Sequence, residues 1–377
     1  MWSRLGEHPL VRAVGHATVL NFAGATLMSE SVPKTTGSRR PTIRDVARLA
    51  DVSVGTVSAV INDSGRPVAE RTRDHVMRCI AELGFEPNSA ARSLKHQRLS
   101  SIGFVVPDLS NAFFAAIAEG IHSILREFDC LLVLCLTGSD TQREEYYARV
   151  LRTQRLNGVI YLSGSGLPCQ SLQELAQIGS VIFVDECLPG VNIPFISSQN
   201  LIGARTLANY VLQQNHRKLA IVTGPQGLWT SEQRQAGFRE AFIGANIEPE
   251  SVPMIRGDYT EESGRRAAEI LTALPSGQRP TAVLCANDMM AIGFVRRCLE
   301  LKINVPGDIS VTGFDDIPES RLIQPELTTV RQPGHEMGRA AAKLLLQHIG
   351  VSSDVLNERD FATELCIRHS VAKLDPA

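Results

Sequence analysis

"TIRDVARLADVSVGTVSAVIN" occupies residues 42–62, and its reading decides what the first part of the chain can be. Thr42, with Asp45 three residues on, forms a capping signal, and Ile43, Val46, Ala47 and Ala50 fall on one stripe, so a short amphipathic helix starts here. "ADVS" reads as a tight turn whose Ser53 caps a second helix, in which Val57, Val60 and Ile61 recur at helical spacing. The other side of that helix, Val54, Gly55, Ser58 and Ala59, is small and nearly uncharged. A surface helix ordinarily carries Lys, Glu or Arg there. "AERTRDHVMRCIAELG", residues 69–84, supplies a third helix with Val76, Ile80 and Leu83 inward and Gly84 as its stop. Three short, closely joined helices describe a helix-turn-helix head, expected over residues 41–87, whose bare second helix can approach base edges in a major groove. On pattern alone, a generic three-helix bundle fits as well.

The composition of the 377-residue chain is that of a globular protein of two or three domains. Charge is unevenly placed. Residues 39–98 hold eleven Lys/Arg against seven Asp/Glu, while residues 99–377 hold 24 against 31, so a basic head precedes an acidic body. The eight cysteines form neither a C-x-x-C pair nor a zinc-spaced cluster, so no disulfide framework and no metal site is expected, and free thiols fit a reducing compartment. Residues 1–40 loosely imitate a signal peptide, but His16, Asn21 and several Gly and Ala dilute the apolar run, which is too short and polar to span a bilayer. The segment reads as a disordered extension, with Met28 an alternative start.

The match in residues goes beyond pattern. Residues 42–62 with "RTRDHVMRCIAELGFEPNSAARSLK" (71–95) closely resemble the DNA-binding head of the lactose repressor family of bacterial transcription regulators. The resemblance makes the helix beginning at Ser53 the recognition helix, with Val54, Gly55 and Ala59 facing bases. It gives Ser53, Thr56, Ser58 and Asn62 phosphate or groove-edge roles and adds Thr42 as a DNA contact. Many members carry Arg or His where Ala59 stands and polar residues at Val54 and Gly55, which implies thinner hydrogen-bonded reading here and heavier contact with thymine methyls. The resemblance further implies a hinge helix and linker over 88–99. There "PNSAARSLK" is too short to be stable alone and would order on DNA, with Asn88, Ala91 and Lys95 at the DNA and Leu94 wedged between base pairs from the minor groove. An ordinary linker helix with Leu94 packed on the body is the alternative.

From Ser100 onward the period changes. Apolar runs such as "IGFVVP", "LLVLCL", "GVIYLS" and "VIFVD" alternate with amphipathic helices, and the series restarts with "LAIVTG", "AVLCA" and "ISVTGFD". Continuous apolar strands between helices mean parallel sheets covered on both faces, here in two α/β lobes over 100–377. Ligands of such sheets lie beyond the carboxyl ends of the strands, which singles out Phe113, Phe114, Asp185, Trp229, Thr230, Arg234, Asn287, Asp288 and Asp315. Aromatic faces among donors and acceptors suit a polyhydroxylated ring. "VPDLSNAFF", "ANDMMAIG", "VTGFDDIPES" and "LTTVRQP" also resemble the family's two-lobed effector domain, a periplasmic-binding-protein-like (type I) fold. That likeness puts effector contacts at Phe113, Phe114, Asp185, Thr230, Arg234, Tyr259, Asn287 and Asp315, and lobe crossings near Ser198 and within 315–333.

No P-loop, G-x-S-x-G elbow, H-E-x-x-H or evident catalytic triad is present in the sequence, so neither an enzyme nor a cofactor is expected. A periplasmic solute-binding protein would share the body but not the head. The expectation is a cytoplasmic, ligand-responsive repressor, acting as a homodimer on a near-palindromic operator with no membrane contact. Its effector is expected to be ribose or another sugar, with a purine or nucleoside as the alternative. "VAKLDPA" at the C-terminus shows no leucine heptad for a coiled-coil tetramer.

Overall fold

The computed structural model describes residues 41–62, 67–85, 99–153, 156–166, 174, 177, 180–187, 192–353, 356 and 358–375. The expected extension over 1–40 and the expected hinge helix, with Asn88, Ala91, Leu94 and Lys95, lie outside the described residues. The chain divides into two compact units, Met1–Pro87 and Asn88–Ala377.

In the first unit, α1 (Ile43–Leu49), α2 (Val54–Asn62) and α3 (Glu70–Leu83) close over Val46, Ala50, Val57, Val60, Val76 and Cys79. The local chemistry read from the sequence is in place. The Asp45 carboxylate accepts from the Thr42 amide and hydroxyl at 2.8 and 2.6 Å, fixing the start of α1. Ser53 Oγ accepts the Thr56 amide at 3.0 Å and so caps α2. Gly84 ends α3 in the left-handed region at φ 59°, where a side chain would be strained.

The second unit carries two parallel sheets. The first contains β1 (Ser101–Val106), β2 (Leu131–Leu136), β3 (Gly158–Tyr161), β4 (Val181–Val184), β5 (Phe195–Ser198) and β11 (Asp360–Phe361), in the order β11-β5-β4-β3-β1-β2. The second contains β6 (Leu219–Thr223), β7 (Met254–Arg256), β8 (Ala282–Cys285) and β9 (Ser310–Thr312), in the order β7-β6-β8-β9. Both are parallel throughout. On the first sheet, α4 (Ala112–Leu125) and α10 (Gly334–His348) bury Ile117, Ile121, Leu344 and Leu345 on one face, while α5 (Thr141–Thr153) buries Ala148 and Leu151 on the other. Around the second, α6 (Asn200–Gln213) and α7 (Trp229–Gly244) cover one face, and α8 (Glu261–Thr272) and α9 (Asp288–Glu300) the other. This is the sandwich expected of apolar strands separated by amphipathic helices.

The chain leaves the first lobe after β5 and returns through β10 (Thr329–Arg331) into α10. A third crossing, absent from the expectation, follows. After β11 pairs with β5 in the first lobe, β12 (Glu364–Cys366) pairs antiparallel with β10. These strands are two and three residues long, too brief for alternation to betray them.

Candidate functional site

A cavity of about 580 Å³ lies where the carboxyl ends of both sheets face each other. Loops after β1, β3 and β4 supply one wall, and residues after β6 and β7 the other, among them Phe114, Ser163, Asp185, Glu186, Thr230 and Tyr259. The location follows from topology, because residues just past parallel strands are released from the ladder and turn toward the crevice. Glycines make room for it. A Cβ on Gly224, directly after β6, would lie 2.3 Å from the Tyr259 ring, and one on Gly166 would lie 2.5 Å from the Gly227 carbonyl of the opposite lobe. Asp185, Tyr259 and Asp315 all adopt positive φ, at 63°, 66° and 119°. Such conformations cost about 1–3 kcal/mol each outside glycine and persist where the surroundings impose them.

Arg234, buried on α7, is the charged centre. Its Nε donates to Asn200 Oδ1 at 2.8 Å, and its Nη1 donates to the Ala286 carbonyl at 2.5 Å and lies 3.5 Å from Asp315 Oδ1. The guanidinium sits 4.1 Å from the Phe314 ring centroid and 5.7 Å from that of Tyr259. Gln332 bridges Asp315 (2.7 Å) and Ser198 (2.5 Å), so both expected crossing regions meet beneath the cavity. Burial pushes Asp315 up to about 6 against the pull of Arg234. Burial also raises Asp185 to about 7, with Arg234 opposing and Asp315 adding, and leaves its Oδ1 without a hydrogen-bond partner. Glu186 is pushed up to about 8 by burial and by Asp185, although it accepts the Trp229 and Thr230 amides and the Thr230 hydroxyl (2.7 Å) at the start of α7.

The residues singled out from the sequence separate into two groups. Phe114, Asp185, Thr230 and Tyr259 line the cavity, and Arg234 and Asp315 stand directly behind them. Phe113 is a correction. It is turned into the first lobe's core and lies against Gly334, since consecutive helical residues point about 100° apart and only Phe114 faces the crevice. Asn287 is buried as the cap of α9, accepting the Met290 amide at 3.0 Å and donating to the Tyr259 carbonyl at 3.0 Å, so it fixes Tyr259 rather than lining the cavity. Asp288 accepts from Thr329 at 2.5 Å and from the Ile317 amide at 2.9 Å, a structural clamp. Glu186 is not among the residues the strand ends single out, and its one signal in the sequence is a second carboxylate after the strand in "VDEC". Glu144, in the first turn of α5, carries no such signal. It is buried and accepts the Gly164 and Ser165 amides at 2.8 and 2.9 Å, holding the loop after β3.

In the head, the exposed arc of α2 consists of Val54 (42 % exposed), Gly55 and the half-buried Ser58. Ala59 corrects the bare-face reading. It is only 5 % exposed, because it stands about 100° beyond Ser58 around the helix, at the margin of the arc, and a methyl group does not reach out from there. Ser53 is exposed and Thr56 half-buried, their hydroxyls 2.9 Å apart, while the Thr42 hydroxyl is engaged in its cap.

Residues 42–88 match "Bacterial regulatory proteins, lacI family", and residues 208–371 match "Periplasmic binding protein-like domain". The chain is 32 % identical over 339 residues to the HTH-type transcriptional repressor CytR of Escherichia coli (strain K12), covering 88 % of this chain and 97 % of that one. The chain belongs to the lacI family. This makes it a DNA-binding transcription regulator, and other lacI-family members compare in the same way. The ribose operon repressor of Halalkalibacterium halodurans is 31 % identical, covering 87 % of this chain and 96 % of that one. The Lac repressor dimer bound to operator and the anti-inducer ONPF superposes with a TM-score of 0.74 at 27 % identity, covering 89 % of this chain and all of that one. The head and two-lobed parallel body described above are thus the architecture of the family.

Proposed function

We propose that the chain is a repressor that holds a near-palindromic operator as a homodimer and is switched by a small polyhydroxylated molecule, ribose or another sugar, between its lobes. The observation that carries this reading is the inter-lobe cavity, which Phe114 and Tyr259 line together with Asp185 and Thr230. Aromatic faces cover the C–H surface of a sugar ring while carboxylates accept from its hydroxyls. A ribose operon repressor among the relatives supports the sugar class. Two lining aromatics, Phe114 and Tyr259, suit a base as well as a sugar, which favours a nucleoside as the second reading.

In this reading residues 41–87 read DNA, 88–99 couple the head to the body, and 100–377 bind effector and dimerise. Val54, Gly55 and Ser58 meet base edges, and Ser53 and Thr56 meet phosphate. Dimerisation is supported by the edge strand β2, where Leu131 (65 % exposed), Leu134 and Leu136 stand in solvent, an apolar edge that natural proteins ordinarily cover. The activity is binding rather than catalysis, as in the repressors it resembles, and its place is the cytoplasm with the DNA. Among the described residues no helix is long and apolar enough to cross a membrane.

A thermal-shift screen of sugars against nucleobases tests the effector class. A ligand at a hundred times its dissociation constant adds about 2.7 kcal/mol to stability. The expected result is a raised unfolding temperature with sugars and a changed operator affinity with the same compounds. Stabilisation by nucleobases alone would replace the sugar reading with the nucleoside one.

A further inference from the structure

Among its described lining residues the cavity has no Lys, Arg or His, yet Asp108, Asp185, Glu186, Asp258 and Glu261 all border it. Three of these carboxylates already have partners of their own. Asp108 accepts from Ser110 and the Asn111 amide, Asp258 accepts from Thr260 and pairs with Arg266, and Glu261 pairs with Arg296 at 2.6 Å. Glu186 is satisfied in hydrogen bonds by the first amides of α7, which bring only partial positive charge.

Asp185 differs from all of them. It is 95 % buried, it borders the cavity, and its Oδ1 has no hydrogen-bond partner. The one guanidinium behind it, Arg234, is shared among Asn200, the Ala286 carbonyl and Asp315. Among the described residues, Asp185, Glu186 and Asp315 therefore face a single cation. A neutral hydroxyl supplies Asp185 with a donor but its ionised form with no countercharge, an anionic group disfavours that form further, and a protonated amine supplies donor and countercharge together.

We propose that the effector of this protein carries a protonated amine that docks on Asp185, so that the cleft selects an amino sugar over its neutral twin and rejects phosphorylated sugars. The proposal rests on the sugar reading of the cleft and narrows it. The upward displacement of the Asp185 and Glu186 carboxyls agrees with it. With Arg234 on α7, Tyr259 after β7, Asp315 after β9 and the Cys187 thiol beside Glu186 among the charged or titratable groups around them, a second cation is what would draw both toward the ionised form.

Titration calorimetry on the full-length protein, with the amine protonated, compares D-ribose, D-glucose and D-galactose each with its amino analogue, and adds a glucose phosphate. At least one amino sugar is expected to bind at least about tenfold more tightly than its neutral twin, with no heat from the phosphate. Asp185→Asn is expected to remove that gap, with a circular-dichroism melt confirming that the variant folds. Equal or tighter binding of the neutral twins, or a gap that survives Asp185→Asn in a folded variant, overturns the proposal while leaving the sugar reading standing. Heat from no member of either series overturns the sugar reading together with the proposal.

Discussion

The exposed arc of α2 and the floor of the inter-lobe cavity, the two recognition surfaces of the proposed function, are built on opposite terms. On α2, Val54, Gly55 and Ser58 stand in or near solvent, no charge lies among them, and the Ser53 and Thr56 hydroxyls are bonded to their own helix start. At the floor of the cavity, Arg234, Asp185, Glu186 and Asp315 are almost fully withdrawn from water, three residues hold strained backbone, and one carboxylate oxygen lacks a partner. A face that meets hydrated duplex DNA gains by being small and by leaving attraction to net positive charge nearby, because phosphates dominate affinity. A site that encloses a small molecule gains by holding its dipoles fixed before the ligand arrives, because reorganising them in low dielectric would cost more than the ligand returns.

Removing the cavity's cation separates the two surfaces most sharply. Arg234→Ala leaves Asp315 buried without its cation and Asn200 Oδ1 without its donor, and the body is expected to lose about 3–5 kcal/mol in denaturant unfolding, along with its effector response. The head, a separate compact unit, should keep its helical signal to higher denaturant than the body does. An unchanged body midpoint would show that the guanidinium does not hold the lobes as described.

Salt acts on the other surface. Operator affinity is expected to fall at least about a hundredfold between 50 and 200 mM salt, whereas effector affinity of the buried cavity should change less than about threefold. Parallel salt slopes in fluorescence-anisotropy and calorimetric titrations would erase the distinction.

Ser53→Ala tests the local chemistry of the head. Loss of the cap on α2 is expected to cost the head about 1 kcal/mol and to weaken operator binding without altering effector binding.

The body also carries a slope with pH. Asp185, Glu186 and Asp315 hold their protons in the folded body to about 7, 8 and 6, above the range of an unfolded carboxyl. From about pH 5 to 8 the folded state therefore binds more protons than the unfolded one, and stability falls as pH rises. Glu186→Gln should flatten the upper part of that slope in melts at successive pH values, and an unchanged slope would place the proton elsewhere.

Much of this was legible from residue types alone. The Thr42–Asp45 box, the Ser53 cap and the Gly84 stop are interactions across three or four residues, so sequence spacing specifies them directly. The longer body strands were legible because burial on both faces demands unbroken apolar runs. Asp185, Thr230 and Tyr259 could be placed at the crevice from strand ends and family likeness, but Phe113 could not be separated from Phe114. Which of two neighbouring aromatics faces a cavity depends on where α10 packs against α4, more than 200 residues away in sequence.

The sequence by itself determined the caps, the periodicities, the order of strands and helices along the chain, and through its likeness the family. Only the tertiary structure decided that Ala59 is withdrawn from the exposed arc, that Glu186 of one lobe holds the first turn of α7 in the other, and that Asp185 borders the cavity with one buried carboxylate oxygen unpartnered. The reason is physical. Caps and periodicity arise between residues near in sequence, whereas burial, desolvation and charge balance depend on which distant segments the folded chain brings within a few ångströms of one another.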